Sequence, residues 1–251
     1  METIEEKIKA HAKQADEGWG LGYGFFSKVI NDHNLKIGAE VGVAFGGHSE
    51  AILKNTQVEK LYGVDPYKHD TSYQDAMNLP QEEFDELYRF TLKRLSAFGL
   101  RYAHIRKPSV EGALEAPGGL DFVYLDGDHS YKGVFDDLCA WFSKIRDGGI
   151  IGGHDYGHMT HPGVQKAVDE FFRRFGWKIN VEGQGVWWVK KESLSMSFFI
   201  PVYNGENFIE ESVASIMKGN FNEGDEIIII NDGSTDNTVK ILEKLSLQYS
   251  A

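Results

Sequence analysis

Five short apolar runs, each closed by a turn or a charged residue, limit what this chain can fold into: KIGAEVGV (36–43), KLYGVD (60–65), RYAHIR (101–106), LDFVYLD (120–126) and GGIIGGHD (148–155). Runs this short and this continuously apolar read as strands buried on both faces, the pattern of a parallel sheet covered by helices. The segments between them supply those helices. Val134, Leu138, Trp141, Phe142 and Ile145 fall on one helical face, and Leu87, Leu92 and Leu95 more loosely on another. After Pro162, suited to a first helical turn, Val164, Val168, Phe171, Phe172 and Phe175 repeat the pattern. WKINVEGQGVWWVKK (177–191) reads as two strands around a Gly-containing turn, an antiparallel edge on the parallel sheet. The expected fold class is α/β, a Rossmann-like doubly wound sheet over residues 1–191.

Composition narrows the function. The 251 residues suffice for one large domain, or for one domain and part of a second. With 38 acidic against 26 basic residues the formal charge is -12, which repels phosphate backbones and excludes a general nucleic-acid binder. A small molecule, a glycan or a protein is the expected partner, and a homo-oligomer is allowed. The single Cys139 forms no internal disulfide, and METIEEKIKAHAKQADEG is too charged for a secretory signal. No apolar run reaches the roughly 20 residues that span a bilayer, so a cytoplasmic location without a transmembrane segment is expected.

In doubly wound sheets ligands bind beyond the carboxyl ends of the strands, and the chemistry-bearing residues fall there. After the first strand, Gly42 and Gly46 let backbone approach a ligand, and a helix starting near His48 or Ser49 offers free N–H groups. Asp65 ends the second strand at about the separation from which an acid reaches ribose hydroxyls; turns and caps alone also explain these residues. The glycine spacing is not G-x-G-x-x-G, which disfavours a nicotinamide cofactor. FVYLDGDHSY (122–131) then runs from apolar strand straight into Asp126, Asp128 and His129, either a metal and proton-transfer site or the polar lip of a loop.

AEVGVAFGGHS, YGVDPY, YLDGDHSYKGVFDDLCAW and DGGIIGGHDY, in this order, together resemble the class I S-adenosylmethionine (SAM)-dependent methyltransferases. Within that class they are most similar to sugar and natural-product O-methyltransferases with strand ends in DGDH-Y and HDY. The resemblance covers about residues 36–190 and implies a seven-stranded methyltransferase sheet, with the 177–190 hairpin as its last two strands. It implies that Glu40 and Gly42, with Gly46 in the same turn, line the methionine part of SAM, that Asp65 binds the ribose, and that Ser109 lies near the adenine. RKPS, around Ser109, departs from the acidic or Gly-rich form often found there. In metal-dependent relatives the positions of Asp126, His154 and Asp155 bind a divalent ion that also grips the acceptor oxygen, which places Asp126 in both the SAM pocket and the catalytic centre. Oxygen ligands suit magnesium, whereas His154 tilts the set toward manganese, iron or zinc.

His129 lies three residues after Asp126, where some sugar O-methyltransferases with a similar D-x-x-H carry a general base, and an ordinary imidazole pKa of about 6.5 fits that task. The alternative is that His129 and Tyr131 cap the helix starting near Ser130. Asp128 reads as a turn or first-turn acid. His158 and His161 read as lid residues, and His11, His33, His48, His69 and His104 as surface or satisfied residues, with His48 near enough to the glycine turn to touch SAM. GWGLGYGFF (18–26) is either a flap over the ligand or packing, and the stretch from Tyr67 to Pro80 reads as a specificity-bearing insertion at the pocket mouth.

Residues 192–196 read as a linker, and residues 197–251 begin a different fold. IPVYN and NDGSTD, each at the end of an apolar strand, resemble the opening of family 2 glycosyltransferases of the GT-A fold. The resemblance implies a partial α/β segment in which Asp232 contacts the nucleotide of a sugar donor. The D-x-D and catalytic base of such enzymes come later than Ala251, and Asp126-Gly-Asp128 precedes IPVYN, so no glycosyl transfer is expected from these residues and a longer fusion is. The leading expectation is SAM-dependent O-methylation of a sugar hydroxyl on a polysaccharide or glycoconjugate. The alternatives are O-methylation of a non-sugar small molecule, and a catalytically idle SAM-binding scaffold for a glycosyltransferase.

Overall fold

Strand β4 (Leu120–Leu125) shows how the first unit is built: Phe122 and Tyr124 turn to one side, Val123 and Leu125 to the other, and all four are buried. A period of two with apolar residues on both faces requires cover on both sides. Its parallel neighbours are β1 (Ile37–Val41) and β5 (Ile145–Gly153), and beyond β1 lie β2 (Lys60–Val64) and β3 (Tyr102–Ile105). The hairpin of β6 (Asn180–Val181) and β7 (Trp187–Lys190) completes the sheet antiparallel to β5, in the order β3-β2-β1-β4-β5-β7-β6. Order reverses between β1 and β4, and it is beyond the carboxyl ends of the strands at such a point that ligands bind in sheets of this kind.

The computed structural model describes residues 2–71, 77–219, 221 and 224–249 and divides into two units, residues 1–192 and 193–251. In the first, α6 (Tyr131–Phe142) and α7 (Pro162–Arg173) cover one face, where Leu138, Trp141, Val168 and Phe172 pack on Val123, Leu125 and Ile151. On the other face, α2 (Tyr23–Asp32) and α3 (Gly47–Asn55) place Phe26, Ile30 and Ile52 against Phe122, Tyr124 and Ile150. Of the glycine-spaced aromatics, Tyr23, Phe25 and Phe26 open α2, with Phe26 packed 5.9 Å from Phe122 and 4.6 Å from Tyr124, while Trp19 caps α1. A third cluster joins α1 (Ile4–Gly18), through Ile8 and Ala12, to Leu87 of α4 (Gln81–Leu95) and to Tyr67.

Four readings change. Ile145 opens β5, because α6 ends at Phe142 and Ile145 reaches the same core from the strand. Phe175 lies past the end of α7 yet stacks on Trp177 at 4.7 Å. Leu92 is 37 % exposed, and the buried residue beside it in α4 is Thr91, whose hydroxyl donates to the Ala44 carbonyl. Tyr67 is wholly buried, with its hydroxyl on the same carbonyl at 2.7 Å, so the segment expected at the pocket mouth begins in the core. Residues 72–76 of that segment lie outside the described residues.

In the second unit β8 (Ser197–Val202) pairs in parallel with β9 (Glu226–Asn231), with helices α8 (Ile209–Lys218) and α9 (Thr238–Tyr249). The two polar loops after the strands are tied together. Asn204 Oδ1 accepts from Thr235 N, Glu206 Oε2 from Asn237 N, and Thr238 Oγ1 from Gly205 N, at 2.8 to 2.9 Å. Asp232 is exposed just past β9, its N–H donating to the carbonyl of Val202.

Candidate active site

The turn after β1 is built around a carboxylate. Glu40 is buried, accepting from Ser49 Oγ and lying 2.8 Å from His48 Nδ1. His48 is therefore an interior residue paired through Nδ1, its buried Nε2 without a hydrogen-bond partner among the described residues and its ring 4.3 Å from that of Tyr124. Gly42 has φ +85, and a Cβ there would lie 2.0 Å from the carbonyl oxygen of Asp126. This glycine lets the β1 turn meet the backbone leaving β4. Gly46, at φ +75, caps α3, which begins at Gly47. Asp65, just past β2, holds the turn from the other side: Oδ2 accepts from Val43 N and Ala44 N, each at 3.0 Å, and Oδ1 from Tyr67 N at 2.9 Å. Burial pushes its pKa up, opposed by those three donors.

Ser109 opens α5 (Ser109–Glu115) past the end of β3, and its hydroxyl accepts from Trp141 Nε1 at 2.9 Å. The same hydroxyl bonds the carboxyl of Asp137, a buried α6 residue whose pKa burial drives up to about 7. Sequence reading missed Asp137, because the adjacent pair Asp136–Asp137 in an amphipathic helix looks like two solvent-facing positions.

Where β4 and β5 end, the acids and imidazoles meet. His129 Nε2 lies 3.2 Å from Asp126 Oδ1 and 3.3 Å from Asp155 Oδ2, and His154 Nδ1 lies 3.1 Å from Asp155 Oδ1. Asp155 takes φ +62, a left-handed conformation unusual for a side chain other than glycine, and it is 8 % exposed. Such strain costs about 1–3 kcal/mol and persists where the surroundings fix it. Burial opposes ionisation of Asp155, but the hydrogen bond from His154 and the charges of His154, His129 and His161 outweigh it and hold its pKa below the ordinary carboxylate value. Burial likewise works against protonated His154, while Asp155 and Asp126 raise its pKa overall.

Asp126, His154 and Asp155 each present one ligand atom, all within 4.8 Å of one another. Bonds of about 2.0–2.2 Å to a divalent ion would draw such atoms roughly 3 Å apart. Two carboxylates and an imidazole make a donor set fit for a divalent ion. The helix cap is Ser130, whose Oγ accepts from Gly133 N at 3.0 Å. His129 and Tyr131 are thus not the cap, and His129 is left facing Asp126 and Asp155. Asp128 makes the turn, accepting from Ser130 N at 2.8 Å.

Residues 35–156 match the model of a methyltransferase domain family, and residues 197–250 that of glycosyl transferase family 2. An uncharacterized protein of Acanthamoeba polyphaga mimivirus is 28% identical over 137 residues, 52% of this chain and 57% of its own. An uncharacterized glycosyltransferase of Mycoplasma genitalium is 43% identical over 58 residues, 23% of this chain and 20% of its own. The chain thus spans little more than half of the first relative and a fifth of the second. Among solved structures, the O-methyltransferase NovP superposes with a TM-score of 0.51 at 19% identity, over 66% of this chain and 76% of NovP, a likeness of fold. The seven-stranded order and the two family matches agree: the first unit has the fold of a methyltransferase domain and is followed by a segment that matches glycosyl transferase family 2.

Proposed function

We propose that the first unit transfers a methyl group from SAM to a hydroxyl oxygen, with His129 as the general base. The supporting observation is the His129 imidazole set between Asp126 and Asp155 at the crevice, within 3.3 Å of both. SAM supplies an electrophilic methyl group on a sulfonium, and a divalent ion at Asp126, His154 and Asp155 would supply a charge that orients and acidifies the acceptor hydroxyl. The chain's own work is to hold the acceptor in line and to take its proton. His129 accepts that proton at an imidazole nitrogen, and the carboxylates of Asp126 and Asp155 stabilise the imidazolium that forms. The turn from Gly42 to Gly46, fixed by Glu40 and Asp65, offers the N–H groups of α3 to the carboxylate of SAM.

The acceptor we infer is a sugar hydroxyl of a glycan or glycoconjugate. This rests on the glycosyl transferase family 2 segment carried by the same chain, which is association rather than site chemistry. The test uses methyl transfer from labelled SAM to a glycan panel, alongside calorimetric titration with SAM. His129→Ala should keep SAM affinity while turnover falls by about 100-fold or more. Excess chelator should stop transfer and added divalent ion restore it. Equal loss of binding and turnover in the variant would make His129 structural, and full activity in chelator would remove the metal from the mechanism.

A further inference from the structure

The imidazole of His161, just ahead of α7, lies on the far side of the Asp155 carboxylate from His154. Its Nδ1 is 3.9 Å from Asp155 Oδ2, the oxygen that also faces His129 Nε2 at 3.3 Å, whereas His154 faces Oδ1 at 3.1 Å. The His129 and His161 rings are 4.6 Å apart, and His129, Asp155 and His161 present ligand atoms all within 4.8 Å of one another. A tetrahedral ion with bonds of about 2.0–2.1 Å sets its ligand atoms roughly 3.3 Å apart. The His129–Asp155 pair already has that spacing, and the His161–Asp155 pair, at 3.9 Å, exceeds it by about half an ångström. His161 is partly exposed, in a short turn pinned by its N–H to the carbonyl of His158, and on joining an ion its Nδ1 exchanges contacts with His158 Nδ1 at 3.2 Å and Thr160 Oγ1 at 3.3 Å for the metal.

The two ligand sets share Asp155 and differ in chemistry. Asp126, His154 and Asp155 offer two carboxylates and one imidazole. His129, Asp155 and His161 offer two imidazoles and one carboxylate with open positions, a donor set that favours zinc over magnesium. We propose that His129, Asp155 and His161 form a second, zinc-selective site, and that zinc bound there inhibits methyl transfer. The inhibition rests on the general-base reading of His129, because an imidazole nitrogen whose lone pair is given to a metal can no longer accept a proton. The site itself does not rest on that reading.

The test is calorimetric titration of the full chain with zinc chloride in excess magnesium, comparing wild type, His161→Ala, His161→Cys and His154→Ala. Wild type should bind zinc. His161→Ala should weaken binding by about tenfold or more, His161→Cys should retain it through its thiolate, and His154→Ala, outside this set, should change it little. Wild-type affinity in His161→Ala, or a loss in His154→Ala as large as in His161→Ala, would overturn the site. Zinc should also inhibit methyl transfer in wild type, with the half-inhibiting concentration raised in His161→Ala; inhibition unaltered there would overturn the inhibitory role. Zinc binding that depends on His161 in a chain without methyl transfer would leave the site standing and remove the methyl-transfer reading on which the inhibition rests.

Discussion

Asp137 and Asp155 are both buried acids, but their surroundings drive them in opposite directions. Imidazoles surround Asp155 and hold its pKa down, so its contribution to stability is present above the ordinary carboxylate range and is lost as pH falls through its folded value. Asp137 has only the Ser109 hydroxyl to set against burial, and its pKa rises from 3.8 to about 7. Between those values the folded state binds more protons than the unfolded state, so this group makes stability fall as pH rises across that window. Asp137→Asn removes that slope. In thermal or urea melts the variant should match wild type near pH 4 and exceed it at pH 8 by on the order of 1–4 kcal/mol. An unchanged difference across that range would mean that Asp137 ionises normally. Asp126, His129, His154 and Asp155 were legible in the sequence because they follow apolar runs directly, where a polar residue must lie at a strand end. Asp137 was not legible, and His161 was legible only as a lid residue, because their partners arrive from other elements: Ser109 from α5 and the carboxylate of Asp155 from the end of β5.

At the scale of elements, the strands could be read because burial on both faces leaves a continuous apolar run, while boundaries were lost wherever two elements bury residues in the same core. Ile145 keeps helical spacing with Trp141 and still belongs to β5, paired with Leu120 just before a register shift. The sequence marks that irregularity only by Gly148, which has φ +75. The crevice depends on how two connections meet, the β1 turn and the exit of β4, and Gly42 is their point of contact. Gly42→Ala would set a methyl group 2.0 Å from the Asp126 carbonyl oxygen at a φ of +85, and backbone rather than a flexible side chain would have to yield. We expect a loss of about 3 kcal/mol or more and a shift of Asp126 that lowers turnover in whatever protein remains folded. Leu138→Ala, deep in α6 and away from the crevice, should cost about 2–5 kcal/mol while leaving SAM affinity unchanged in the folded fraction. Chemical denaturation paired with SAM calorimetry separates the two variants, and equal effects on binding would show that the β1–β4 contact has no special part in forming the site.

Across the whole molecule, the two units differ in how completely their apolar residues are covered. The sheet of residues 1–192 is sandwiched by helices, whereas β8 and β9 pair only with each other among the described residues, leaving Phe199 63 % and Ile230 53 % exposed. Both strands were legible as buried strands from their apolar runs, but the cover such runs call for is only partly present in the described unit. A two-stranded parallel sheet with two helices buries little area per residue, so the second unit should unfold first. The sequence supplies the means to see it: Trp19, Trp141, Trp177, Trp187 and Trp188 all lie in the first unit. Tryptophan fluorescence therefore follows the first unit alone, while far-ultraviolet circular dichroism follows both. In a urea titration the dichroism should begin to fall before the fluorescence changes, and the early phase should be insensitive to Leu138→Ala, which moves only the later one. Coincident transitions at every urea concentration would mean that the units unfold as one cooperative body, and the second unit would then draw its stability from the first.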